Sequence, residues 1–562
     1  MALIATWTNF LGQNNRVNPR RLPEGVGQIC HQFAPDRADI RLAPEGSLSA
    51  GLGTAGTVLT ATAYPYGGSP PWLWWDNLIV HVVPTLNPND TSGEIFYTGD
   101  SAPKRTTYAL ALPATPAPAA SVPLGIPAPS AQFNVATLAA GSGPLETRSY
   151  IDTFVTSDGL KEGAPNTLPR TVSVAGGTTM TLGSGGSFAA VPGGYTDTTI
   201  RRVYVSTSGG EYLLCDEGLA SAASLTDSLS RTTVLASGGD TSKPAWLEPL
   251  GGMIGLTTMW NGMVAGFRGN QVLVCEPYKP WAWPAEYRIT LHGDIVGLAA
   301  WHEALLVSTT KRAYVIAGAS PLALNPTPLD PETRSGNFNG RPVVSTGDGV
   351  CWAGQGGFFF IGDGFPPTNI SKGFLTEDQW TTAFGAVTLH SQRLRDRVAF
   401  IGGLLNNTTP FFANATIFNP RRAQEGFVTA RLSSGSVVGT VPDGTQSVLI
   451  MNGSTREVWS WYGGNAGASV ADGYFRTKTI RHAKPANAGA LMVSGTPASG
   501  TICVAEVFAD GVSLGSYSVA NERPVTLPGG YKAREFYVQV RITSTSAVVN
   551  GVFLAEDAAD FP

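Results

Sequence analysis

The sequence predicts an all-β chain with very little helix: a β-propeller inserted between β-sandwich or platform segments. Three observations predict it. The 562 residues include 67 Gly and 40 Pro, about a fifth of the chain against an average nearer 12%. Charged residues are only 14%, against roughly 25% in ordinary soluble proteins, which argues against coiled coils and helical bundles. A pattern with a period of roughly 40–50 residues, the period of propeller blades, repeats after residue 250. The 24 Phe, 16 Tyr and 13 Trp are too many for a chain that buries nothing.

Residues 1–145 read as an N-terminal arm, part of a platform and a linker. The stretch to residue 50 is dense in Asn, Pro and Gly, which favours turns and short elements. TVLTATAY, WLWWDNLIVHVV and GEIFYTGD are rich in β-branched and aromatic residues and read as strands. ALPATPAPAASVPLGIPAPSA, residues 111–131, reads as a stiff extended linker because proline fixes the backbone. Residues 146–245 read as a fibronectin-like β-sandwich, with short strands broken at Asp158-Gly159, Gly176-Gly177 and Gly209-Gly210.

Residues 246–470 read as the propeller, of five or six blades. IGLTTMWNGMVAGFRGNQVLVCEP aligns with VGLAAWHEALLVSTTKRAYVIAG, placing Trp260 on Trp301. VSTGDGVCWAGQGGFFFIGDG repeats the second half, and RDRVAFIGG and SVLIMNGSTREVWSWYGG repeat it more faintly. A blade buries its faces only by stacking on neighbours, so the repeat implies a closed array. One helix is predicted, from the capping box Thr376-Glu377-Asp378-Gln379 with Leu375 before it. Residues 471–562 return to strands and read as a C-terminal sandwich rejoining the platform.

The function classes narrow by charge and motif. Lys plus Arg are 37 and Asp plus Glu 41, a net charge of −4; a groove that grips nucleic acid needs a basic face. The five cysteines are scattered, with no ligand-spaced Cys/His set, so zinc and a disulfide framework are not expected and a reducing cytoplasm is. The N-terminal residues carry no signal-peptide pattern, and no apolar run is long enough to span a membrane as a helix. Gly51-Leu52-Gly53-Thr54-Ala55-Gly56 has dinucleotide-site spacing but is followed by a strand pattern, so it reads as a turn. His31, His81, His292, His302, His390 and His482 are isolated. Recurrent Asp-Gly pairs are explained by hairpin turns without calcium. Asp76, Asp100, Glu146 and Glu276 are candidate glycosidase carboxylates, but that chemistry needs a pair at a set separation across a cleft. No catalytic residue, cofactor or metal is therefore expected. Trp72, Trp74, Trp75, Trp281 and Trp283 are the candidate interface anchors, tryptophan being enriched at binding hot spots. Core packing is the plainer reading of the same residues, and sugar stacking a third.

Five stretches in order along the chain carry a resemblance. They are GQNNRVNPRRLPEG; GEIFYTGDSAPKRT; RSYIDTFVTSDGLKEGAPNT with RRVYVSTSGGEYLL; VVSTGDGVCWAGQGGFFFIGDG with LTEDQW; and RPVTLPGGYKAREFYVQVRI with VFLAED. Together they resemble the nozzle proteins of short-tailed bacteriophages, the tail tubular protein B family in a broad sense. The resemblance implies a non-enzymatic virion structural protein, assembled in the host bacterial cytoplasm as a ring, usually sixfold, around the DNA exit channel. It implies as partners an adaptor or portal-side ring, tail fibres or spikes, and viral DNA passing without sequence-specific binding. At 562 residues the chain is shorter than the longest nozzle proteins, which leaves open a distal tip or an intermediate hub. The charge balance suits a neutral to acidic lumen, because each phosphate neutralised by a fixed cation would hold the duplex back. The alternative is a phage-associated sugar-binding or polysaccharide-degrading propeller with a tryptophan-lined face.

Overall fold

The computed structural model describes residues 3–33, 39–42, 47–51, 60–64, 72–76, 79–112, 118–207, 211–228, 246–335, 338–364, 366–384, 388–394, 397–407, 411–421, 426–430, 448–452, 457–461, 472–496, 500–544 and 546–561. The chain is all-β: strands dominate, and the described residues hold only two α-helices, Tyr108–Ala111 and Glu377–Phe384. It divides into two compact units, residues 1–79, 306–315 and 328–562, and residues 80–305 and 316–327.

The second unit holds an antiparallel meander, a sandwich and a blade-like sheet. The meander is His81–Pro84, Ile95–Gly99, Ser101–Thr106 and Val122–Pro123. Its last strand comes from the Pro/Ala segment read above as a linker. That segment packs: Val122 pairs with Arg105, and Leu124 and Ile126 are each 1% exposed. The apolar residues between the prolines hold it down.

The sandwich has a four-stranded sheet, in the order Arg170–Ala175, Leu145–Thr156, Thr198–Thr207, Leu213–Leu219, and a three-stranded one, Val135–Ala139, Thr179–Leu182, Leu225–Asp227. It starts at Val135, ahead of the boundary read at residue 146. The strands flanking Gly176-Gly177 lie in different sheets, so this turn carries the chain across the core. Gly177 has φ +80°, a left-handed conformation that glycine adopts without steric cost. The turn read at Gly209-Gly210 lies outside the described residues. Alternation places Phe133, Tyr150, Met180, Leu182, Val203 and Leu225 between the sheets. Asp227 bridges them, accepting from Arg148 Nη1 at 2.9 Å and Tyr150 Oη at 2.7 Å.

Three copies of the repeat become four-stranded sheets with strands in chain order, the topology of a propeller blade. The first is Ile254–Thr258, Val264–Arg268, Gln271–Val274 and Ile289–Thr290. The second is Ile295–Trp301, Ala304–Thr309, Ala313–Ala317 and Asn325–Pro328, and the third Val343–Ser345, Gly349–Gly354, Gly357–Gly362 and Thr368–Asn369. The two fainter copies differ. Of RDRVAFIGG, residues 397–403 lie in strand Arg397–Asn407, between Thr388–Leu394 and Phe411–Phe418 in a thirteen-stranded sheet, and the first two lie outside the described residues. Val448–Asn452 and Glu457–Trp461 form a three-stranded sheet with Ser47–Gly51.

In the first unit both halves of the chain share sheets. Leu3–Thr8 pairs antiparallel with Val548–Ala555, Leu3 opposite Ala555. Ile29–His31 lies between Phe427–Ala430 and Gly473–Arg476. From there the large sheet continues through Ala533–Ile542 and Thr501–Ala509 to an edge at Val512–Ala520. Phe33, Leu491, Val507, Phe536, Val538 and Leu554 are among the side chains packed between the layers.

Candidate functional site

The capping box does form. Thr376 N donates to Gln379 Oε1 at 2.9 Å, and Gln379 N donates to Thr376 Oγ1 at 3.2 Å. Trp380, Ala383 and Phe384 fall on one face of the helix and are buried, as the i, i+3, i+4 spacing dictates. Phe358 receives them, 4.4 Å from Trp380 edge-on and 3.9 Å from Phe400 in a stack, measured between ring centres.

The N-terminal arm docks on the entry to this helix. Asn15 N donates to Phe374 O at 3.1 Å, and Gln379 Nε2 donates to Asn15 O at 3.2 Å. Asn14 Nδ2 donates to Gly373 O at 3.0 Å, and Arg16 Nη1 donates to Lys372 O. The arm is itself fixed by an Asx turn, with Asn14 Oδ1 accepting from Arg16 N at 3.0 Å. Gln379 thus serves the helix cap and the arm with one side chain. Two stretches that carry the family resemblance, GQNNR and LTEDQW, meet here across some 360 residues of sequence.

Beside this junction lies a cleft of about 570 Å³. Arg16, Arg334 and Lys372 bring positive charge to it and Glu332 and Glu377 negative charge; all five are exposed. Asn369 orders one wall, its Oδ1 accepting from Lys372 N at 3.1 Å and its Nδ2 donating to Gly356 O at 3.1 Å. Gly357 closes that wall; a Cβ there would lie 2.3 Å from Ser371 Oγ. Neither histidine nor cysteine lines the cleft. The lining is polar and carries charges of both signs.

The tryptophans lie elsewhere. Trp74 and Trp75 are each 4% exposed in the strand Trp72–Trp75, paired with Thr60–Ala63. Trp283 is 2% exposed, and its Nε1 donates to Pro280 O at 2.7 Å. These three pack inside the chain and present almost no surface to a partner. Trp72 is half-buried; Trp281 is half-buried too, with the Lys161 ammonium 5.8 Å from its ring centre.

Other titratable groups are structural. None of the five cysteines is in a disulfide and all are buried, and burial holds the thiols of Cys30, Cys275 and Cys503 at about 12. His390 is buried, and desolvation, helped by the charge of Arg341, lowers it to about 4, so it is neutral at pH 7. Burial raises Asp152 to about 6 against the opposing pull of Arg201. Among the described residues no group of three or more His, Cys, Asp or Glu could hold a metal, and no helix is long and apolar enough to cross a membrane. Of the glycine motif, Gly51 ends the strand Ser47–Gly51, and positions 52–56 lie outside the described residues.

No protein-family model and no curated protein sequence matches the chain. Among solved structures it is similar to β-propeller proteins. YCF48 from Cyanidioschyzon merolae is 10% identical over 64% of this chain and 96% of that one, with a TM-score of 0.25. BamB from Moraxella catarrhalis is 12% identical over 63% and 93%, with a TM-score of 0.22. Hsv2 from Kluyveromyces lactis is 11% identical over 39%, with a TM-score of 0.21, and the match spans 56% of its own length.

Proposed function

We propose that the chain is a non-enzymatic structural subunit of a bacteriophage virion, a tail nozzle or hub that forms a ring around the DNA exit channel. The observation that carries the reading is the junction of the arm with the capped helix, where two of the resembling stretches hold each other through Gln379 and Asn15. The polar cleft beside it supplies a docking site for an adaptor ring, fibre or spike. The sparse, balanced charge favours passage of DNA without retention.

Negative-stain imaging of the purified protein, paired with a sugar-binding and sugar-release screen on host envelope polysaccharide, tests it. Rings with a central hole, sixfold by expectation, are the outcome this reading requires. A dispersed monomer that binds or cleaves polysaccharide would overturn it in favour of the carbohydrate-active alternative.

A further inference from the structure

Among the described residues, two strands end their sheets with an edge that carries neither charge nor proline, one in each compact unit. Val512–Ala520 closes the path of the thirteen-stranded sheet and pairs along one side with Thr501–Ala509. Val135–Ala139 closes the three-stranded sheet of the sandwich and pairs along one side with Thr179–Leu182. The other side of each pairs with no described strand. Their sequences, VSLGSYSVA and VATLA, hold no charged residue and no proline.

Other edges of the large sheet and of the sandwich are built differently. Ile480–Ala486, also beside Ala533–Ile542, carries Arg481, His482, Lys484 and Pro485. In the sandwich, the edge strand Leu213–Leu219 carries Asp216 and Glu217, and the edge strand Arg170–Ala175 carries Arg170. Charge and proline are the usual protections against unwanted strand pairing, and a long uncharged edge is a template for another chain. Both bare edges also leave a large apolar side chain in water, Leu138 62% exposed and Val512 67% exposed. The register shift beside Phe508, with Gly515 at φ +124°, bends the start of the longer strand. The run from Gly515 to Val519, paired in register with Val507 to Cys503, remains to accept a partner.

We infer that the edge Val512–Ala520 of one copy takes the edge Val135–Ala139 of the next copy as an added strand. The inference rests on the ring reading above and supplies its contact. Two different strands make a heterologous joint, and repeating such a joint closes a ring when the rotation allows, whereas one strand pairing with itself would stop at a dimer. Two uncharged strands bring no like charges opposite each other, and the backbone groups provide the affinity. The occupant is a second copy of this chain.

The buried native thiols make the test clean. Ser516→Cys and Thr137→Cys place one exposed thiol on each edge. Treated with a short bismaleimide, the double variant is expected to give a ladder of covalent oligomers ending at the ring number, and each single variant is not. A second variant, Ser516→Lys with Ser518→Lys, is expected to leave the circular dichroism and melting temperature of the monomer unchanged while abolishing rings. Rings that survive the lysines, or that form without a ladder, would overturn the strand joint and leave the ring reading standing. A wild-type protein that forms no rings, together with a double variant that gives no ladder, would sink both.

Discussion

At the scale of single residues, the structure concentrates leverage in a few polar side chains. Gln379 closes the capping box and also holds the arm at Asn15. Thr376→Ala is expected to cost about 1 kcal/mol, the ordinary value of a lost N-cap. Gln379→Ala is expected to cost a similar amount and also to raise amide hydrogen exchange at residues 12–16, which Thr376→Ala should affect less. A uniform exchange pattern in both variants would refute this division of labour. His390 sets a pH response. It is buried and neutral with its folded value near 4, against 6.5 unperturbed. The unfolded chain therefore binds more protons between those limits, and stability rises with pH through the window. The contribution is complete above pH 6.5 and is lost as the pH falls to 4 and below, by roughly 3 kcal/mol. His390→Gln should flatten that part of a stability–pH curve measured by urea unfolding. Of these features, only the capping box was readable beforehand, because it is local. The partner of Gln379 lies more than 360 residues away and nothing in spacing reveals it.

Among elements, the sandwich depends on a polar link between its sheets. Leu225–Asp227 is three residues long, and Asp227 ties it to Arg148 and Tyr150 of the opposite sheet. Asp227→Ala leaves the buried Arg148 with Glu146, at 2.7 Å, as its remaining carboxylate partner. The expected loss is about 3 kcal/mol, toward the lower end for a broken buried pair, with Asp227→Asn less damaging because it keeps an acceptor for Tyr150. Equal losses in the two variants, measured by thermal melting, would show that the hydroxyl contact contributes nothing. The sequence announced the sandwich strands by their alternation. It concealed that the strands around Gly176-Gly177 part company, since a diglycine turn serves a hairpin and a crossing equally well. The faint repeats misled for a related reason. An apolar strand flanked by turns looks the same in a blade as in a wide mixed sheet, and only its neighbours decide.

For the whole molecule, the balance of 37 basic and 41 acidic residues bears on how DNA is handled. Purified protein is expected to bind duplex DNA no more tightly than roughly 1 µM at physiological salt, the strong end of non-specific affinity. Fluorescence anisotropy with a short labelled duplex measures this. Nanomolar binding with a steep salt dependence would mean a basic channel and would contradict the conduit. The all-β character was legible from composition and turn density alone. The tryptophan clusters were not decipherable in the same way: Trp74, Trp75 and Trp283 pack internally, and aromatic residues at strand spacing look alike whether they face a core or a partner.

The pairing of Leu3–Thr8 with Val548–Ala555 has a consequence for synthesis. The strand Leu3–Thr8 is made roughly 540 residues ahead of the strand it needs. At roughly 5–20 residues per second, that wait is about half a minute to two minutes. Through it Ile4, Ala5 and Trp7, all buried in the finished fold, lack the partner that covers them. A message cut short, or a ribosome that stalls, yields a chain whose opening strand is never matched. A chain that stops short of Val548 therefore keeps Ile4, Ala5 and Trp7 uncovered.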